Sequence, residues 1–166
     1  MGSGQRRGKS SEDRDWRNPR RVKLQPILSP MDFSNLDSVI STMYSVISGP
    51  AGEPRDWELL RSLYHPQARL MVAPNLGKEA LPLRVMTVEE FIARVDAIFK
   101  TESFWEREVK RQTEQFGRIA QVLSDYESLH DLNEAPFTSG RKSMHLFNDD
   151  ERWWIVSAIW NTERAG

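Results

Sequence analysis

The chain of 166 residues contains no cysteine, which excludes disulfides, thiolate nucleophiles and Cys-ligated zinc or iron–sulfur centres. Histidine is scarce. The three present, His65, His130 and His145, show no close ligand spacing, so no metal site is expected from them. Also missing is any apolar run approaching the ~20 residues of a membrane span, and no apolar signal core follows the N-terminal arginines. A soluble, cytoplasmic protein is therefore expected, without membrane association and without a cofactor.

Charge is unevenly spread. Residues 1–30 hold eight Lys/Arg against three Asp/Glu, whereas the remainder holds 15 against 21. With Gly, Ser and Pro throughout and little apolar periodicity, 1–30 reads as a disordered basic tail. Such an arm can neutralise phosphates, but most tails of this kind are merely solvated, so nucleic acid is not an expected partner. Residues 31–166 read as one domain, and a chain that is 39% hydrophobic is long enough to bury a substantial core.

Helical signals come first. Ser34 with Asp37 forms a plausible capping pair, and Leu36, Val39, Ile40, Met43 and Ile47 recur at helical spacing until Gly49-Pro50 stops them. A shorter helix is expected in "EPRDWELLRSLYHP", where Trp57, Leu60 and Tyr64 share a face and Pro66 ends it. "ARLMVAP" follows as a short strand. Thr87 with Glu90 forms a capping box for a third helix striped by Val88, Phe91, Ile92, Val95 and Phe99.

Beyond Phe104 the pattern turns to extended chain. Strands are expected over 104–116, 118–129, 140–147 and 151–162, separated by Gly117, by "NEAPFTSG" and by the hairpin connection "NDDE". Helices followed by an antiparallel meander define an α+β class, and such a sheet can roll around the helices into a half-open cone. The charged run "EREVKRQTE" reads as a solvated edge from which Glu106 or Glu108 could reach the rim.

The last strand is apolar on both faces, since Trp153, Ile155 and Ile159 alternate with Trp154, Val156, Ala158 and Trp160. Both faces must be covered. Pairing across "NDDE" without a break sets His145 opposite Trp154 and Ser143 opposite Val156, on one face with Ala158 and Trp160. Met144, Leu146, Trp153, Ile155 and Ile159 then form the other, uniformly apolar face. A pocket wants apolar walls with a few convergent polar groups, so the first face is expected to line it. The second is expected to join two copies as a homodimer.

"DWELLRSLYHPQARL", "FGRIAQVLSDYE" and "GRKSMHLFNDDERWWIVSAIW", in that order after an amphipathic first helix, resemble the nuclear transport factor 2-like superfamily over roughly residues 34–163. Ketosteroid isomerase, scytalone dehydratase and the SnoaL-like polyketide cyclases share this fold. The resemblance implies a curved antiparallel or mixed sheet rolled around about three N-terminal helices, with a small hydrophobic molecule held inside. It also sets Tyr44 where the isomerase keeps its oxyanion tyrosine and Ser143 where it keeps a protonated aspartic acid. The isomerase's general base has no counterpart, because Val72 occupies that place with Met71 beside it. Proton abstraction would then fall to His145, imidazole being the side chain suited to acid/base work near neutral pH, with Tyr44 and Ser143 donating hydrogen bonds to an enolate. Trp57, Tyr126, Trp154, Ala158 and Trp160 complete the expected ligand-binding set. Each has a plainer reading as a core residue, and a dehydratase, isomerase or cyclase stands beside a binding module without chemistry.

Overall fold

The computed structural model describes residues 31–75 and 82–164; the expected tail, 1–30, lies outside the described residues. Three helices precede or punctuate a six-stranded mixed sheet, and each helix begins at a side-chain cap. Helix α1, Leu36–Val46, starts at Asn35, whose side chain accepts from the Ser38 amide at 3.1 Å. This replaces the Ser34 cap expected from sequence, because Ser34 is instead turned back onto Asp32. Helix α2, Trp57–Leu63, is capped by Asp56. Helix α3, Val88–Phe99, has the full Thr87–Glu90 capping box.

The strands are β1 Tyr64–Val72, β2 Arg84–Met86, β3 Trp105–Phe116, β4 Ile119–Leu129, β5 Thr138–Asn148 and β6 Trp153–Arg164. Their order is β2-β1-β6-β5-β4-β3, with β1 parallel to β6 and every other pair antiparallel. Strand β1 begins earlier than expected. It runs straight out of α2 at Tyr64, and the register shifts between Tyr64 and Arg69, which accommodates Pro66 in the strand. The β3–β4 hairpin turns at Gly117, whose φ of +56° only glycine adopts without cost.

The helices cover one face of the sheet. Val39, Ile40 and Met43 of α1 and Leu60 and Leu63 of α2 pack there against Leu70, Val122, Met144, Leu146 and Ile155, all buried.

A β-bulge in β6 corrects the expected face assignment. Phe147 pairs with Trp154 and Leu146 with Ile155, but His145 pairs with Ser157, so Val156 is an extra residue in the ladder. Residues 153 and 155 thereby share a face with 158 and 160 rather than opposing them. Met144, Leu146, Trp153 and Ile155, expected as an exposed dimer patch, are 5% exposed or less beneath the chain's own helices. His145 and Ser143, paired with Ser157 and Ile159, lie on the outer face, and His145 is exposed. A second bulge, at Val109 of β3, keeps Glu106, Glu108 and Arg111 on the inner face opposite Ser128, Tyr126 and Ser124.

Candidate functional site

Between the sheet's inner face and the helices lies a cavity of about 560 Å³. Its walls come from every layer: Met43 and Ile47 of α1, Leu60 of α2, Leu70 and Val72 of β1, and Phe91, Val95 and Phe99 of α3. Trp160 of β6 closes one side, standing edge-on to Phe91 with ring centroids 6.1 Å apart. The volume is that of a drug-sized ligand site.

Of the polar side chains lining this largely apolar chamber, Arg94, Glu102 and His130 are exposed, and the buried Glu106, Tyr126, Ser128 and Lys142 lie on β3, β4 and β5. Lys142 follows Leu146 and Met144 at every second position of β5, so strand alternation aims it inward with them. Its ammonium forms an ion pair with Glu106 of β3, and the two side chains are only 9% and 7% exposed. The rings of Tyr44 and Tyr126 flank the same ammonium, with centroids 4.4 and 4.3 Å from Nζ. Burial pushes the Lys142 ammonium below the ordinary lysine range, and the Glu106 carboxylate opposes that shift. Lys142 and Glu106 both line the cavity.

A second layer of polar groups holds these residues. The Tyr44 hydroxyl and Ser124 Oγ are 2.7 Å apart, and Ser124 donates in turn to the Glu108 carboxylate. Arg111 grips Glu108 through Nε and Nη2, the latter at 2.6 Å, and also pairs with Asp37 on α1. Tyr126 reaches Thr162 at 2.6 Å across Gly140. A Cβ at Gly140 would stand 2.7 Å from the phenol and 2.4 Å from the Asn161 carbonyl oxygen, so glycine is what lets the ring cross β5. Burial raises both phenols well above the usual tyrosine range, which leaves them neutral hydroxyls.

The residues expected from sequence divide sharply. Tyr126, Ala158 and Trp160 line the cavity. Tyr44 is buried directly behind Lys142, with its hydroxyl committed to Ser124. Trp57 supports the wall from behind, stacking on Phe99 and donating to Asp96 Oδ1 at 3.0 Å. His145 sits on the outer face with Nδ1 3.1 Å from Ser157 Oγ, and Ser143 lies beside Leu123 and Ile159 on that face. Trp154 is also outside, under the Arg152 guanidinium and donating to Asp149. The bulge at Val156 causes all three displacements.

Lys142 was not singled out by the sequence, although its alternation with Met144 and Leu146 carried the signal. Among the described residues no cluster of three His, Asp or Glu side chains could hold a metal ion, and no described helix is long and apolar enough to cross a membrane.

The fold is that of nuclear transport factor 2-like proteins. A protein of unknown function with a cystatin-like fold from Nostoc punctiforme PCC 73102 superposes with a TM-score of 0.59 at 8% identity, covering 76% of this chain and 87% of that one. A nuclear transport factor 2-like protein of unknown function from Pseudomonas putida KT2440 gives 0.57 at 12%, covering 75% and 82%. A candidate scytalone dehydratase from Novosphingobium aromaticivorans DSM 12444 gives 0.56 at 14%, covering 76% and 80%. No family model matches the sequence, and no curated protein does.

Proposed function

We propose that the cone binds a small, flat, predominantly hydrophobic molecule whose one polar group, a carbonyl or hydroxyl, meets Lys142 and Glu106. The observation that carries this reading is the buried ion pair on the wall of a 560 Å³ apolar cavity. Aromatic and aliphatic walls supply affinity without direction, and Lys142 and Glu106 are the lining charges buried among them, so orientation is assigned to the pair. The same pair supplies an acid and a base within reach of each other: Glu106 to accept a proton, and Lys142 to stabilise the negative charge that develops on the ligand's oxygen. Dehydration or isomerisation of a carbonyl compound needs those two roles, and the candidate dehydratase among the fold neighbours supports that direction. The acid/base role assigned to His145 from sequence passes to Glu106 and Lys142, because His145 is on the other side of the sheet.

A binding module without chemistry is the second reading. It is favoured by the engagement of the Tyr44 and Tyr126 hydroxyls with Ser124 and Thr162, which leaves neither poised for a substrate. Self-association through the outer face belongs to either reading, now on a different residue set. Leu123, Ser143, Ile159, Met71 and Val85 occupy one cross-strand row there.

Thermal-shift titration with aromatic ketones, alcohols and hydrocarbons tests the reading. At a hundred times its Kd a ligand stabilises by about 2.7 kcal/mol, a rise of roughly 5–15 °C. The rise should be largest for ketones and should vanish in Val95→Trp, which fills the cavity from α3. Equal shifts in both proteins would place binding elsewhere and overturn the proposal.

A further inference from the structure

The Lys142–Glu106 pair is a poor device for stability alone. Taking both charges out of water costs much of what their attraction returns, and apolar side chains of similar volume often serve a core better. Its position is nevertheless reinforced from several sides. Glu106 shares a row with Ser128, the bulge at Val109 holds β3 in register, and the Tyr44 and Tyr126 rings box the ammonium. Glu108, also facing inward, is gripped by Arg111 and accepts from Ser124, so the carboxylate in direct contact with Lys142 is that of Glu106. What remains is one buried amine, on the wall of a largely apolar chamber, with one carboxylate in contact.

We propose that Lys142 is a nucleophile that forms an imine with a hydrophobic aldehyde or ketone bound in the cavity. This rests on the cavity-binding reading above and gives its ligand a chemical class. Glu106 takes one proton from the ammonium, and the freed Nζ lone pair attacks the carbonyl carbon, forming a C–N bond as the C=O π pair moves to oxygen. A proton passes from nitrogen to that oxygen, giving a neutral carbinolamine. Glu106 then returns its proton to the hydroxyl, the C–O bond breaks with loss of water, and the nitrogen lone pair closes the C=N bond. The product is a protonated imine. Of the three protons on the original ammonium, two leave in the water and one stays on nitrogen.

The charge balance explains why this site suits the step. Positive charge sits on Nζ before and after, so the Glu106 contact and both flanking rings remain occupied and no buried charge is orphaned. Burial favours the neutral amine that must form in between, whereas an exposed lysine such as Lys100, 70% exposed, gains no such help. Once formed, the protonated imine is a stronger electron sink than the carbonyl, and the Glu106 carboxylate beside it is free to remove an adjacent proton. The proposed isomerase or dehydratase chemistry would then proceed through the covalent adduct.

Reductive trapping decides the matter. Full-length protein is incubated at pH 7 with naphthaldehyde and sodium cyanoborohydride, then digested and mapped by mass spectrometry. The expected adduct lies on Lys142, at least tenfold above that on Lys100 or Lys110, and Glu106→Gln lowers its rate by roughly 10²-fold. Lys142→Arg, which keeps the charge but forms no imine, should give none. Naphthol, which has no carbonyl, reads cavity binding in parallel by thermal shift. If naphthol stabilises the wild type but Lys142 stays unmodified, the imine is refuted and the binding reading stands. If neither compound stabilises it, both fall. The wild-type map alone decides the covalent step, so poor folding of either variant does not rescue it.

Discussion

Replacing Lys142 by Met removes one charge of a pair whose side chains are 9% and 7% exposed, and leaves the Glu106 carboxylate facing apolar walls. Breaking such a pair costs about 3–5 kcal/mol, far more than the 0–1 kcal/mol typical of surface bridges such as Lys100–Asp96. With a urea m-value of roughly 2 kcal/mol/M, the midpoint should fall by about 2 M. Lys142→Met combined with Glu106→Leu removes both charges, and its stability should return to wild type or exceed it by about 1–4 kcal/mol while ligand binding is lost. Equilibrium urea unfolding of the three proteins at pH 7 measures all of this. A single-variant loss below 1 kcal/mol, or a double variant no more stable than the single, would mean that water reaches the pair, and the reasoning would fail.

Three other outcomes follow from the same geometry. Gly140→Ala should cost about 1–3 kcal/mol by overpacking, because the new methyl meets the Tyr126 phenol and the Asn161 carbonyl; calorimetric unfolding measures it, and a neutral result would contradict the crossing of β5 by that ring. His145→Ala should leave ligand-induced thermal shifts unchanged, since the imidazole is exposed on the outer face and bonded to Ser157; a lost shift would return His145 to the site. Light scattering should give a dimeric mass for the wild type and a monomeric mass for Ile159→Arg, which sets a charge in the outer-face row; a wild-type monomer would end the self-association proposal.

What the sequence made legible was local. The stripes of α1 and α3, the Thr87–Glu90 box, the turn at Gly117 and the "NDDE" connection each depend on residues a few positions apart, and all appear in the structure. The fold class followed from their order. What could not be read were the bulges, since Val156 and Val109 differ in no visible way from paired strand residues and the count across the hairpin is set by what each face must pack against. One extra residue reverses every later side chain. That is why Ala158 and Trp160 line the cavity whereas His145, Ser143 and Trp154, tied to them by an unbroken register, lie on the outer face. Lys142 stays hidden for a related reason: an unbroken register puts the face it shares with Met144 and Leu146 on the outer side of the sheet, as the expected dimer patch rather than the pocket. The short strand β2 escaped because three residues carry too little pattern to register.

A crystal structure of the protein with acetonaphthone, a flat aromatic ketone, tests whether a hydrophobic carbonyl compound occupies the cone with its oxygen directed at Lys142 and Glu106. The rings should lie between Phe91, Val95 and Trp160 with the carbonyl at the Lys142–Glu106 pair, as the ketone or as the imine. A ligand bound only on the outer face, or lying in the cavity with its carbonyl turned away from the pair, would contradict it.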